Sequence, residues 1–148
     1  MPLEFGLRGL NLSTATEKKN NASGATQTTG SVCQWDIANQ TGNTAAQIDK
    51  VIKPVTAGIA VGVLGVQADA SLLNGVDGNF RFGEGVVVDV KVDGSGTAIA
   101  QMDPLKAQNA SDVAVKATAG TDRWHFIALQ AATTATTIKA LLYSTGRK

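Results

Sequence analysis

Cysteine and histidine occur once each in 148 residues, as Cys33 and His125. A single thiol excludes an internal disulfide framework. One Cys and one His far apart in sequence do not make a zinc site, which gathers four such ligands. Aromatic residues are only 5% of the chain, so a core has to be built from Val, Ala, Leu and Ile. The formal net charge is +1, and no basic stripe stands out. Charge therefore gives no case for a nucleic-acid or membrane partner. The longest apolar run, residues 59–66, is broken by glycine and is too short to cross a bilayer. Residues 1–6 lack a charged segment leading into an apolar one, so no secretory signal is expected, and synthesis in the cytoplasm is.

Catalytic patterns are missing as well. The carboxylates are scattered singly, which leaves paired acid–base chemistry without support. Residues 58–65 are glycine-rich but do not match the dinucleotide fingerprint, and no Gly-Lys-Ser/Thr phosphate loop occurs. Asp77-Gly78-Asn79 and Asp93-Gly94-Ser95 have too few charges for a calcium loop and read as hairpin turns. His125, between Trp124 and Phe126, reads as a structural strand residue. Cys33 reads as a small strand residue rather than a nucleophile. The expectation is a protein with no enzymatic activity, no cofactor and no metal.

What is present is a series of short runs rich in Val, Ile and aromatics, most of them between residues 85 and 142. Val86, Val88, Val90 and Val92 alternate with Val87, Asp89 and Lys91, the period of a half-buried strand. Strands are expected at 32–37, 59–66, 86–92, 113–117, 124–129 and 138–143. Phe80 and Phe82 should share a strand face, with Arg81 opposite. Residues 45–53 fit a helix or a strand, and their β-branched content favours strand. Residues 69–79 read as a loop, and 131–137 as a loop or short helix. Closely spaced strands with turns between them predict an all-β fold, a small antiparallel β-barrel or β-sandwich with an extended N-terminal arm.

That arm comes first in the chain. Leu3, Phe5 and Leu7 alternate with Glu4, Gly6 and Arg8, and Leu10 and Leu12 continue the apolar set. Apart from Glu17, Lys18 and Lys19, residues 13–31 are Thr, Asn, Ala, Gly, Ser and Gln, a linker composition. The chain is therefore read as an arm and flexible linker over 1–31 and a β-domain over 32–148. Leu3, Phe5, Leu7, Leu10 and Leu12 are the candidate partner-binding residues, facing a neighbour or their own barrel.

The later sequence carries a resemblance. Val92-Asp-Gly-Ser-Gly-Thr-Ala-Ile-Ala-Gln-Met-Asp-Pro-Leu-Lys-Ala is followed by Val115-Lys-Ala-Thr-Ala-Gly-Thr-Asp, Ile127-Ala-Leu-Gln-Ala-Ala-Thr and Ile138-Lys-Ala-Leu-Leu. This succession resembles the capsid decoration, or cement, proteins of tailed bacteriophages. Gln130 stands where an acid is common in that group, and Met102 where glycine is common. The resemblance implies a structural virion protein on the capsid exterior that stabilises contacts between major capsid protein subunits, as a homotrimer or else a monomer. A head-fibre or tail structural module remains an alternative. So does a biotin- or lipoyl-type carrier domain using Lys106, which otherwise reads as a solvent-facing strand lysine.

Overall fold

The computed structural model describes residues 16–36, 50–54 and 63–148. The fold is all-β, with no helix among the described residues. Strands β1 (Glu17–Asn21), β3 (Val32–Trp35), β4 (Lys50–Ile52), β5 (Leu64–Gln67) and β7 (Asp77–Arg81) close into a barrel in the order β1-β4-β3-β5-β7. A two-stranded ribbon, β2 (Gln27–Thr28) with β6 (Ser71–Leu72), accompanies it. Strands β8 (Glu84–Asp93), β9 (Pro104–Ala107), β10 (Ala114–Lys116), β11 (Trp124–Ala128) and β12 (Ala135–Arg147) close a second barrel in the order β10-β8-β12-β11-β9. Pairing is antiparallel except for β1 with β4 and β8 with β10, which are parallel.

The second barrel follows from simple alternation. Val86, Val88, Val90 and Val92 all point inward from β8 and are buried. Ile138, Ala140 and Leu142 answer them from β12, where Ile138 pairs with Val90, Ala140 with Val88 and Leu142 with Val86. Phe126 and Leu105 complete the layer. Each of these Val, Ile, Leu and Phe side chains contributes roughly 1.5–3 kcal/mol by leaving water.

The first barrel is smaller and more polar. Cys33, Val51, Leu72, Phe80 and Phe82 form its apolar cluster. Trp35 meets Phe82 edge-on at 5.6 Å, and the Lys19 ammonium sits 5.0 Å from the Trp35 ring centre. Gly65 is needed here for space. A Cβ at this position would lie 2.5 Å from the Phe82 ring and from the Arg81 carbonyl oxygen.

The two barrels meet along a seam. β8 and β10 pair only at Val92 and Ala114, so most of that edge of β8 has no partner within its own barrel. Residues 30–32 fill the gap. The Lys91 N–H donates to the Gly30 carbonyl at 2.9 Å, and the Val32 N–H donates to the Asp112 carbonyl at 2.8 Å. The Asp112 carboxylate accepts from both Ser31 Oγ and Lys91 Nζ, each at 2.7 Å. Val32, Leu64 and Val66 turn away from the first barrel's interior and join the core of the second.

Several expectations need correction. Residues 13–31 were expected as linker, yet β1 and β2 lie within them, and β1 pairs with both β4 and β7. Polar side chains supply this segment's burial. Asn21 Nδ2 donates to the Ala25 and Leu72 carbonyls, which lets a fully buried amide replace an apolar residue. Asp77-Gly78-Asn79 lies inside β7 rather than in a turn. Residues 135–137 extend β12 instead of forming a loop or helix. The expected strands at 32–37 and 59–66 are seen as Val32–Trp35 and Leu64–Gln67, with residues 37 and 59–62 outside the described part. Met102, which replaces a glycine common in the resembling group, has φ 71°, in the region that favours glycine.

Candidate interaction surface

The residues most often suspected of chemistry are placed structurally. His125 is fully buried, and neither ring nitrogen has a hydrogen-bond partner. Burial and the nearby Arg123 charge push its pKa down to about 4, against a smaller upward pull from Glu84. It is a neutral ring packed in the wall of the second barrel. Among the described residues, no cluster of three or more His, Cys, Asp or Glu is arranged to hold a metal.

Cys33 lies inside the first barrel, and burial pushes its thiol pKa far up. The thiolate is the reactive form, so this thiol should be inert in the folded chain. Iodoacetamide at pH 8 is expected to leave the native protein unmodified and to add one carbamidomethyl group after unfolding in guanidinium. Rapid labelling of the native protein, read by intact mass, would contradict the burial described here.

Lys106 is tied down. Its Nζ lies 2.8 Å from Asp122 Oδ2, and the same carboxylate accepts the Thr118 N–H at 2.7 Å. A carrier lysine has to present a free amine, so this pairing argues against the carrier reading.

The outer wall of the second barrel is more informative. The register that buries Leu105, Phe126, Leu142 and Val86 on the inside places Pro104, Ile127, Leu141 and Val87 in a row on the outside. Pro104 pairs with Ile127, Ile127 with Leu141, and Leu141 with Val87. The row crosses four strands, about 14 Å at the usual interstrand spacing. Val87 is 44% exposed, and the other three are half-buried. Beyond Leu141 on the same strand, Tyr143 meets Trp124 edge-on at 5.6 Å, and the Arg147 guanidinium lies 5.0 Å from the Tyr143 ring centre. Apolar side chains joined to Trp, Tyr and Arg have the composition of an interface core.

Ion pairs flank the row. Lys139 binds Asp89 at 2.7 Å on one side, and Arg147 binds Glu84 at 2.9 Å on the other. These pairs cancel locally, so the band offers little field to select a charged partner. From Val87 the surface runs into a groove of about 120 Å³ between the barrels, lined by Thr29, Val66, Arg81, Val87, Asp89 and Lys139. The groove belongs to the same surface.

Leu3, Phe5, Leu7, Leu10 and Leu12 lie outside the described residues. The structure does fix where the chain reaches the first barrel. Glu17 pairs with Phe80 in antiparallel register, which carries residue 16 to the level of Arg81, a wall of the groove.

Comparison with protein families finds no match, and comparison with curated proteins finds none either. Among solved structures, the chain is similar to one described as the crystal structure of head fiber gp8.5 N base in bacteriophage phi29. The TM-score is 0.56 at 12% identity, covering 90% of this chain and 98% of that one. At this identity the likeness establishes a shared fold.

Proposed function

We propose that this chain is a structural protein of a tailed-phage virion, attached to the outside of the head. The observation that carries the reading is fold agreement with the phi29 head-fibre base over nearly the full length of both chains. The resemblance of residues 92–142 to capsid decoration proteins points to the same particle and rests on different data. Its partner on this reading is the major capsid protein, and it needs no cofactor and acts on no substrate. Three copies that engage several coat subunits together multiply weak contacts into firm attachment. A homotrimer is therefore the expected form.

Two roles fit that location. A decoration protein would reinforce contacts between coat subunits, as the sequence resemblance suggests. A fibre base would anchor further protein, as the structural neighbour's description suggests. Micrographs of purified heads made with and without this protein test both. Added density on the outer shell is expected, together with heads that withstand higher temperature if the role is reinforcement. Unchanged thermal tolerance with protein projecting beyond this chain's own volume would favour the fibre base. Heads lacking the protein altogether, or density confined to the tail, would defeat the head-attachment reading.

A further inference from the structure

We propose that copies of this chain meet through the outward face of β8 and β12, with β12 of one copy set against β8 of the next. These neighbouring strands carry opposite charge. β12 holds Lys139 and Arg147 and no acid. β8 holds Glu84, Asp89 and Asp93 and one base, Lys91, whose ammonium is turned to Asp112 at 2.7 Å. Between the charged levels lie Leu141 and Val87, which pair directly. The face therefore has a cationic half and an anionic half, with an apolar step across both.

Such a face is complementary to itself. Residues that pair across β8 and β12 stand at one level along the strands, and rotation about an axis parallel to the strands keeps that level. The rotation brings the β12 half of each copy against the β8 half of the next. Lys139 of one copy then meets Asp89 of its neighbour, Leu141 meets Val87, and Arg147 meets Glu84. A partner surface of one sign would repel half of this face, whereas a second copy answers both halves. The ion pairs within each chain already hold these side chains in place, so little freedom is lost on contact. Lys139 is exposed and Asp89 half-buried, which leaves each open to a second partner. The wall of a closed barrel is convex, and convex walls suit several copies gathered round a common axis.

The number of copies rests on the homotrimer proposed above, while the face and its pairing do not, and sedimentation of the free protein separates the two. The full chain is expected to be trimeric. Asp89→Lys makes both halves cationic at one level, and Lys139→Glu makes both anionic. Each variant is expected to stay folded and to self-associate more weakly by about tenfold or more. Mixed one to one, the two variants should associate more strongly than either does alone. The ion pair within each chain stays broken in that mixture, so recovery can come only from contacts between copies. Val87→Arg, at a position already open to solvent, should dissociate the copies without touching either ion pair, and it decides the matter if a charge variant folds poorly. Variants that remain trimeric would leave the trimer standing and remove this face from it. A mixture no stronger than its components would overturn the pairing of β12 with β8. A dimeric full chain whose variants behave as expected would keep the face and replace the number three. A full chain that is monomeric at every concentration would overturn both.

Discussion

Gly30→Ala is expected to lower stability by about 2–4 kcal/mol, while Gly24→Ala costs about 1 kcal/mol. The two glycines have nearly the same backbone, with φ of 84° and 82°. An added methyl group therefore meets the same left-handed strain at both. Their surroundings differ. A Cβ on Gly24 has nothing within 4 Å, whereas a Cβ on Gly30 lies 3.0 Å from the Lys91 nitrogen and 3.2 Å from the Asp89 oxygen. Those are backbone atoms of β8, which cannot swing aside as a side chain can. Relief requires the seam to open, with loss of the bond from Lys91 N–H to the Gly30 carbonyl and exposure of Val32 and Val66. Urea midpoints at neutral pH, with unchanged slopes, measure the difference. Equal losses for the two variants would mean that the seam is looser than its geometry indicates.

Mild acid is expected to weaken the protein through His125. An unfolded histidine takes up its proton near pH 6.5, while the folded His125 stays neutral down to about pH 4. Between these values the unfolded chain binds a proton that the folded chain refuses. The stability associated with this ring is therefore complete above pH 6.5 and declines as pH falls towards 4, by up to about 3 kcal/mol. The charged groups nearest the ring are Arg123, which opposes protonation, and Glu84, which favours it.

The carboxylates act lower on the scale. The Asp122 pKa is held down by its hydrogen bonds from Lys106 and the Thr118 N–H. Burial raises the Asp112 pKa, but the Lys91 and Ser31 bonds outweigh it. Their stabilisation is full above the unfolded carboxylate range and is lost only as pH drops through their lowered values. His125→Leu removes two unpartnered nitrogens and the titration together. Its urea midpoint should be nearly flat between pH 6.5 and 4.5, where the parent chain's falls. An equally steep fall in the variant would assign the acid sensitivity to other groups.

The sequence made the second barrel legible because its interior is apolar and its strands alternate strictly. Val86 to Val92 could be read directly, and so could the centre of β12. The start of β12 was hidden because Ala135, Thr136 and Thr137 are all exposed, and a run of exposed small residues looks like a loop. The first barrel was harder. Lys19, Asn21, Gln27 and Gln67 are buried there, so the usual contrast between inside and outside is missing. Nothing in a period of two tells whether ten strands close once or twice, and the seam at Gly30 depends on contacts across the whole chain. The outer band was equally invisible. Pro104, Ile127, Leu141 and Val87 come from four strands, and only the register brings them together.

The serial arrangement of the barrels also bears on how the protein is made. Every strand of the first barrel precedes every strand of the second in the chain. During synthesis the first barrel can close once β7 is available. The second has to wait for β12, which pairs with both β8 and β11. In that interval Val32, Leu64 and Val66 have no core to enter, and the edges of β8 and β11 that β12 will occupy stand open. Exposed valine and unpaired strand edges are the usual starting points of aggregation. A slow stretch of translation after β11 would lengthen that exposure, and chaperone demand should be greatest over the final segment rather than at the start.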